Sequence, residues 1–301
     1  TVKLNYGIDP WNGSRHFDPT PSTWNKMLHI LMYWASMGID GFRCDMAHMV
    51  PVEFWHWTIS RVKNKYPGII FIAEIYDTAL YHNYVNYGLF DLLYNKVTLY
   101  DTLFNILKYK SSTHEITRCW QQLEHMGDHM LNFLENHDEQ RIASEFFGKN
   151  PQAGIPALYV SALINGNPYM NYFAGELGED APDAEGFQGA DGRTTIFDYW
   201  GLERQKAWKQ AGWDESKLPA EWLSIRRRYE EVLKLAQSPA VVSGQTSDIT
   251  TDQMRQARVF AFKRQANEAQ LTVIANFGDE AFECEVDGQS VSVPAHDAIA
   301  M

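Results

Sequence analysis

Hydrophobic positions recur along this chain first with a helical period and then in short runs. In "TPSTWNKMLHILMYWASMG" (20–38), Trp24, Met27, Leu28, Leu31 and Ala35 fall at helical spacing. Thr20 can cap this helix, Pro21 suits its first position and Gly38 stops it. The strand-like "IDGFRCD" follows at once. Pro51 opens a second helix, "PVEFWHWTISRVKNKYPG", closed by Pro67 and Gly68. "IIFIAEIYD" is a continuous apolar run of strand length and reads as a strand buried on both faces, as in a parallel sheet.

The alternation continues. "LFDLLYNKV" is a weaker strand, followed by helical sequence through "YDTLFNILKYK". "HMLNFLENHD" is the next strand, "IPALYVSALING" a helix, "NPYMNYFAGEL" a strand and "AEWLSIRRRYEEVLKLAQS" an amphipathic helix. Strand–helix units in series predict a parallel α/β sheet. After about residue 241 the pattern changes. "RVFAFKRQ", "AQLTVIANF" and "AFECEVDG" alternate at period two between turn residues, which predicts a small antiparallel sheet or sandwich. Residues 178–193 are acidic and Gly-rich and read as a solvated loop. They lack the spacing of an EF-hand.

Composition narrows the class. A chain of 301 residues with 45% hydrophobic content can bury a large core. The net charge of −12 and the scattered Lys and Arg argue against a nucleic-acid partner. No apolar run approaches the roughly 18 residues needed to span a bilayer, and the first residues lack the pattern of a signal peptide. The expectation is a soluble protein of unassigned compartment. Cys44, Cys119 and Cys284 are widely spaced, which predicts neither a disulfide framework nor a metal site. Cys44 reads as a small core residue. Ten Trp and fifteen Tyr supply a core and, on an exposed face, platforms for sugar rings.

The chemistry concentrates where strands end. In "GIDGFRCDM" (38–46), Arg43 and Asp45 close a strand-like run, and a buried charge is costly unless paired. Glu74 in "FIAEIY" and His137–Asp138 in "FLENHD" stand at the ends of two further strands. Residues at the C-terminal ends of parallel strands converge on one face, where ligands bind. Two carboxylates flanking a bond are the minimal equipment for glycoside hydrolysis, about 5–5.5 Å apart in a retaining enzyme. One must stay ionised and the other must carry a proton. Arg43 beside Asp45 favours the ionised form, and apolar Ile72 and Ile75 around Glu74 favour the protonated one.

"GIDGFRCDMAHMVP", "FIAEIYD" and "FLENHDEQR" resemble three of the four short signature segments of the α-amylase family of (β/α)8-barrel glycosidases. "KLNYG" resembles a segment that often precedes the fourth-strand region there. The resemblance covers roughly residues 2–240, and the later strands suit the family's C-terminal β domain. It implies that Asp45 is the nucleophile and Arg43 its partner arginine. Glu74 would be the general acid/base. Asp138 would be the third carboxylate, which binds sugar hydroxyls and stabilises the transition state, with His137 supporting it. His48 and Met49 stand where the family usually has Lys and His on the leaving-group side, and His48 is the substrate-binding candidate there.

The family's first signature, an Asp-Asn-His segment, does not occur, and the fourth-strand segment begins at residue 38. The expected architecture is therefore α/β, a (β/α)8 TIM barrel of which the chain carries about strands 4–8. Residues 1–241 would be the barrel portion and 242–301 the all-β domain. The implied reaction is retaining cleavage of α-glucosidic bonds in a starch-like glucan or maltooligosaccharide. The alternatives are transglycosylation or isomerisation on the same barrel, or a non-catalytic relative that binds. No cofactor is implied for this chain, although calcium is common in full-length members. The open barrel edges would be covered by a companion N-terminal half or a second chain.

Overall fold

The computed structural model describes residues 4–123, 126–182, 189–194 and 202–301. The part of the acidic Gly-rich segment at 183–188 lies outside the described residues. By internal contacts the chain divides into two units. The first comprises residues 1–97 with 129–131, and the second 98–128 with 132–301.

The first unit begins with a short hairpin, an antiparallel bridge between Ile8 and Arg15. Helix α1 (Ser22–Ser36) follows, one residue later than a Thr20 cap would place it, because Pro21 itself occupies the capping position. Trp24 anchors α1. Its indole N–H donates to the Tyr6 carbonyl at 3.0 Å, and its ring lies 5.6 Å from both Phe54 and Trp57 of α2 (Val52–Lys65). Strands β1 (Gly41–Cys44), β2 (Ile70–Ala73) and β3 (Leu92–Tyr94) are parallel and adjacent in that order. Helix α3 (Tyr81–Asn86) lies between β2 and β3 in sequence. Strand β4 (Met130–Phe133) pairs through Met130 and Leu131 with β3.

The register sorts these strands into two faces. Cys44, Phe71, Ala73, Leu93 and Met130 share one face and are buried. Arg43, Ile72 and Leu92 share the other and are only partly buried. The expectation of a β2 buried on both faces is thus corrected. Ile70 is 42% exposed, whereas Tyr94 and Leu131 on the same face are buried, so the second face is covered toward β3 and β4 and open at the start of β2.

In the second unit, Asn132 and Phe133 of β4 pair in parallel with the two-residue strand β5 (Tyr169–Met170). Helices α4 (Asp101–Tyr109), α5 (His114–Gln122), α6 (Ile155–Leu163), α7 (Glu203–Gln210) and α8 (Ala220–Leu235) belong here. Every residue of α6 is buried, as expected of a helix apolar on all sides. The antiparallel sheet predicted after residue 241 is present. Strands β6 (Gln245–Asp248), β7 (Val259–Ala266), β8 (Ala269–Asn276) and β11 (Asp297–Ala300) run in the order β11-β8-β7-β6. Strands β9 (Phe282–Val286) and β10 (Gln289–Val293) form a hairpin. Phe260, Phe262, Val273 and Ala275 join the large core with α6, while Val259, Ala261 and Ile274 join a second cluster with Phe282, Val286 and Val293. The sheet is therefore covered on both sides, as in a sandwich.

Candidate active site

Arg43 sits one residue before the end of β1 and Asp45 one residue beyond it. The chain then turns sharply. Met46 takes a left-handed conformation with φ of 42°, uncommon for a residue with a side chain. That turn aims the Met46 N–H at Glu74 Oε2, 2.8 Å away. Glu74 immediately follows β2. Its own N–H donates to the Cys44 carbonyl at 3.1 Å, and its carbonyl accepts from the Ala47 N–H at 3.0 Å. The two strand ends are thus laced together by the backbone of the residues that carry the chemistry.

One guanidinium serves both carboxylates. Arg43 Nη1 donates to Asp45 Oδ1 at 2.8 Å, and Nη2 lies 3.0 Å from Glu74 Oε1, an ion-pair contact whose angle falls outside hydrogen-bond geometry. Arg43 Nε donates to the Tyr94 hydroxyl at 3.3 Å, and its charge lies 5.2 Å from the Tyr94 ring centre. Burial alone would lower the Arg43 pKa, but the hydrogen bonds to Tyr94 and Asp45 outweigh it, raise the pKa and keep the group charged. The two carboxylates differ in exposure. The Asp45 side chain is 79% exposed and that of Glu74 2%.

The apolar shell expected around Glu74 is replaced by donors. Besides Arg43 and the Met46 N–H, the Tyr76 hydroxyl donates to Oε1 at 2.6 Å. Ile75 is fully buried, whereas Ile72 stands beside Arg43 on the half-open face. Cys44 is buried and its thiol is pushed up to about 12 by burial, so it is an inert core group, as its sequence context suggested. His48 lies in a short 3-10 turn, Ala47–Met49, half-buried, with Nδ1 shielded from solvent and without a hydrogen-bond partner among the described residues.

In the second unit, His137 and Asp138 form a pair. His137 Nε2 lies 3.2 Å from Asp138 Oδ2, and both side chains are about one-third exposed or less. The Asp138 N–H donates to Asn136 Oδ1 at 2.8 Å, and Arg193 Nε donates to the Asp138 carbonyl at 2.7 Å. Beneath this turn is a buried ion pair. Arg141 Nη1 meets Glu135 Oε2 at 2.9 Å, the Ile142 N–H donates to Glu135 Oε1 at 2.7 Å, and Arg141 stacks 4.2 Å from the Tyr172 ring centre. A buried pair held by further hydrogen bonds costs much more to break at one partner than to keep.

The structure thus brings Arg43, Asp45 and Glu74 together in one unit and His137 with Asp138 in the other. Sequence reasoning missed Tyr76, Tyr94 and the Glu135–Arg141 pair. Tyr76 had a signal, because it lies two residues after Glu74, and extended chain returns to the same side at that interval. Tyr94 had none, since its role depends on the pairing of β2 with β3.

The model of the family "Alpha amylase, catalytic domain" matches residues 19–242. The chain belongs to the α-amylase family. It resembles curated α-1,4-glucan:maltose-1-phosphate maltosyltransferases, at 40% identity over 53 residues with the Picrophilus torridus protein (18% of this chain, 8% of that one). With the Mycolicibacterium smegmatis protein the identity is 29% over 115 residues (38% and 15%). Among solved structures, ligand-free cyclic α-maltosyl-(1→6)-maltose hydrolase from Arthrobacter globiformis superposes with a TM-score of 0.73 at 19% identity, covering 95% of this chain and 61% of that one. The α-amylase of H. orenii gives 0.66 at 19% identity, covering 96% and 66%. The chain therefore spans about three-fifths to two-thirds of these structures and a small part of the curated relatives. The fold is that of the (β/α)8 amylase-family enzymes, of which the chain carries five parallel strands and the antiparallel sheets. No helix among the described residues is long and apolar enough to cross a membrane.

Proposed function

We propose that the chain supplies the catalytic carboxylates of an enzyme that acts on α-glucosidic bonds with retention of configuration. The single observation that carries this reading is Arg43 holding Asp45 and Glu74 on one guanidinium, with Asp45 open to solvent and Glu74 buried. Family membership supports it. Asp45 attacks the anomeric carbon and forms a glycosyl-enzyme. Glu74 gives its proton to the departing oxygen and then takes one from the incoming water or sugar hydroxyl. Arg43 keeps Asp45 oriented. Asp138, braced by His137, binds ring hydroxyls, and His48 faces the leaving-group side.

The substrate is a maltooligosaccharide or starch-like α-glucan. The acceptor is water, as in the hydrolases the chain resembles in fold; transfer to a sugar is the second reading, favoured by its likeness to maltosyltransferases. The site is completed by further strand–helix units, from an N-terminal half or a second chain. Two features support this. Among the described residues strand β1 has a single neighbour, β2, and α1 with the Met37 that follows it leaves Ile30, Tyr33, Trp34 and Met37 at least half exposed. Calcium is proposed for a full-length enzyme only; among the described residues no three His, Cys, Asp or Glu cluster as a metal site.

The test is proton NMR of the first product formed from maltoheptaose by a full-length enzyme containing this chain. The α-anomer before mutarotation is the expected result, and the β-anomer would overturn the retaining assignment. A sugar–sugar product in place of the reducing end would select transfer.

A further inference from the structure

The second unit holds a cavity of about 970 Å³ at the N-terminal end of β5, where the loop Asn165–Gly166–Asn167 meets the start of β6. His137 and Asp138 follow the opposite, C-terminal end of the adjacent parallel strand β4. The volume is in the range of small-molecule sites, about 300–1,000 Å³.

The cavity presents one indole, Trp120, half-buried at the end of α5, among amides that the fold leaves partly unused. Asn165 Oδ1 accepts from Asn132 Nδ2 at 3.1 Å and from the Asn167 N–H at 3.2 Å, and among the described residues the Asn165 amide N–H groups have no acceptor. Asn167 spends its amide N–H on the Gly127 carbonyl, which leaves its oxygen. Gln121, Gln245 and Asp128 line the cavity, are exposed, and make no side-chain hydrogen bond among the described residues.

Arg264 forms a fixed wall. It is 3% exposed and donates to Thr246 Oγ1 at 2.5 Å, to the Ile164 carbonyl at 3.3 Å and to the Val241 carbonyl, while its buried Nε has no partner among the described residues. The Asp128 carboxylate and the Arg264 charge offset one another, so the cavity favours neither ion, and the amides disfavour a purely apolar ligand. A neutral ring with hydroxyls on its rim and an apolar face satisfies both kinds of group.

We propose that this cavity is an accessory binding site for a short gluco-oligosaccharide, with Trp120 stacking on a ring and Asn165, Asn167, Gln121 and Gln245 reading its hydroxyls. The α-linkage of that ligand rests on the function proposed above; the site itself does not.

Hydrogen exchange of a full-length enzyme carrying Asp45→Asn, which suppresses turnover, tests it with maltoheptaose and cellohexaose as probes. Maltoheptaose should slow exchange at residues 120–123, 165–167 and 243–246. Trp120→Ala should weaken binding there about tenfold, the loss of one good aromatic contact, and leave protection around Asp45 and Glu74 unchanged. The exposed double variant Gln121→Ala/Gln245→Ala gives the same readout without disturbing the core. Absence of protection at these segments, or its survival in both variants, would overturn the site. Equal protection by cellohexaose would overturn its α-selectivity. Protection here together with no product from α-glucans would leave this site standing and remove the catalytic reading.

Discussion

The parallel strands of the first unit and the antiparallel pair β7–β8 of the second reverse the burial that their sequences suggest. "IIFIAEIYD" is the more continuously apolar run, yet β2 alternates, with Phe71 and Ala73 sealed and Ile70 and Ile72 partly open. "AQLTVIANF" alternates in sequence, yet every residue from Leu271 to Asn276 is buried, including Thr272 and Asn276. The difference comes from what covers each sheet. Strands β7 and β8 lie between two apolar clusters, whereas the second face of β1–β3 carries Arg43 and leads to the carboxylates. Hydropathy reports which faces a sheet can bury. The neighbouring elements decide which it does bury.

That contrast predicts unequal costs. Phe260→Ala, on the doubly covered sheet, should cost about 3–5 kcal/mol by denaturant titration. Ile72→Ala, on the half-open face, should cost less than about 1.5 kcal/mol, because solvent already reaches part of the side chain. Equal losses would show that the half-open face is sealed in the working protein.

A smaller effect is expected at the open face itself. Tyr76→Phe removes the 2.6 Å hydrogen bond to Glu74 while Arg43 and the Met46 N–H remain. A hydrogen bond to a charged group contributes about 1.5–3 kcal/mol, so kcat should fall roughly 10–100-fold with KM little changed. The loss should be greatest with poor leaving groups. A purely raised KM would show that Tyr76 binds substrate instead of positioning Glu74.

The smallest effect belongs to the covered sheet and depends on pH. Burial would raise the pKa of Asp248, but hydrogen bonds from Thr117 at 2.6 Å and from Thr250, with Arg255 at 3.2 Å, outweigh it and lower the pKa. A carboxylate with a depressed folded-state pKa stabilises the fold above its unfolded value, about 4, and that contribution is lost as pH falls through the folded value. Asp248→Asn should therefore lower Tm at pH 7, with the gap narrowing below about pH 4. A gap independent of pH would assign the effect to packing.

The candidate site was legible to the extent that it is local. Arg43 with Asp45, and His137 with Asp138, are near neighbours in sequence, and Glu74 sits at the end of an unmistakable apolar run. The series of parallel strands and the late antiparallel sheet were also legible, from alternation and turn residues. Helix α5, "HEITRCWQQ", escaped because its apolar positions are few among polar ones, although Ile116 and Cys119 bury at helical spacing. Helix α3, "YHNYVN", escaped because Tyr and Asn favour helix weakly, and burial of Tyr81, Tyr84 and Val85 fixes it instead. The donors around Glu74 escaped for another reason. The Met46 N–H reaches it only through a left-handed turn, and such turns leave no apolar period to read.

The central claim is that Asp45 is the nucleophile and Glu74 the proton donor, and trapping tests it most directly. An α-glucosyl fluoride needs no protonation to lose its leaving group, so a full-length enzyme carrying Glu74→Gln should still form the glycosyl-enzyme and then hydrolyse it slowly for lack of a base. General acid–base assistance is typically worth roughly 10²–10⁴-fold, enough for the intermediate to accumulate. Peptide mass spectrometry should find one hexose on Asp45. A hexose on Asp138, or full activity retained by Asp45→Asn, would contradict the assignment.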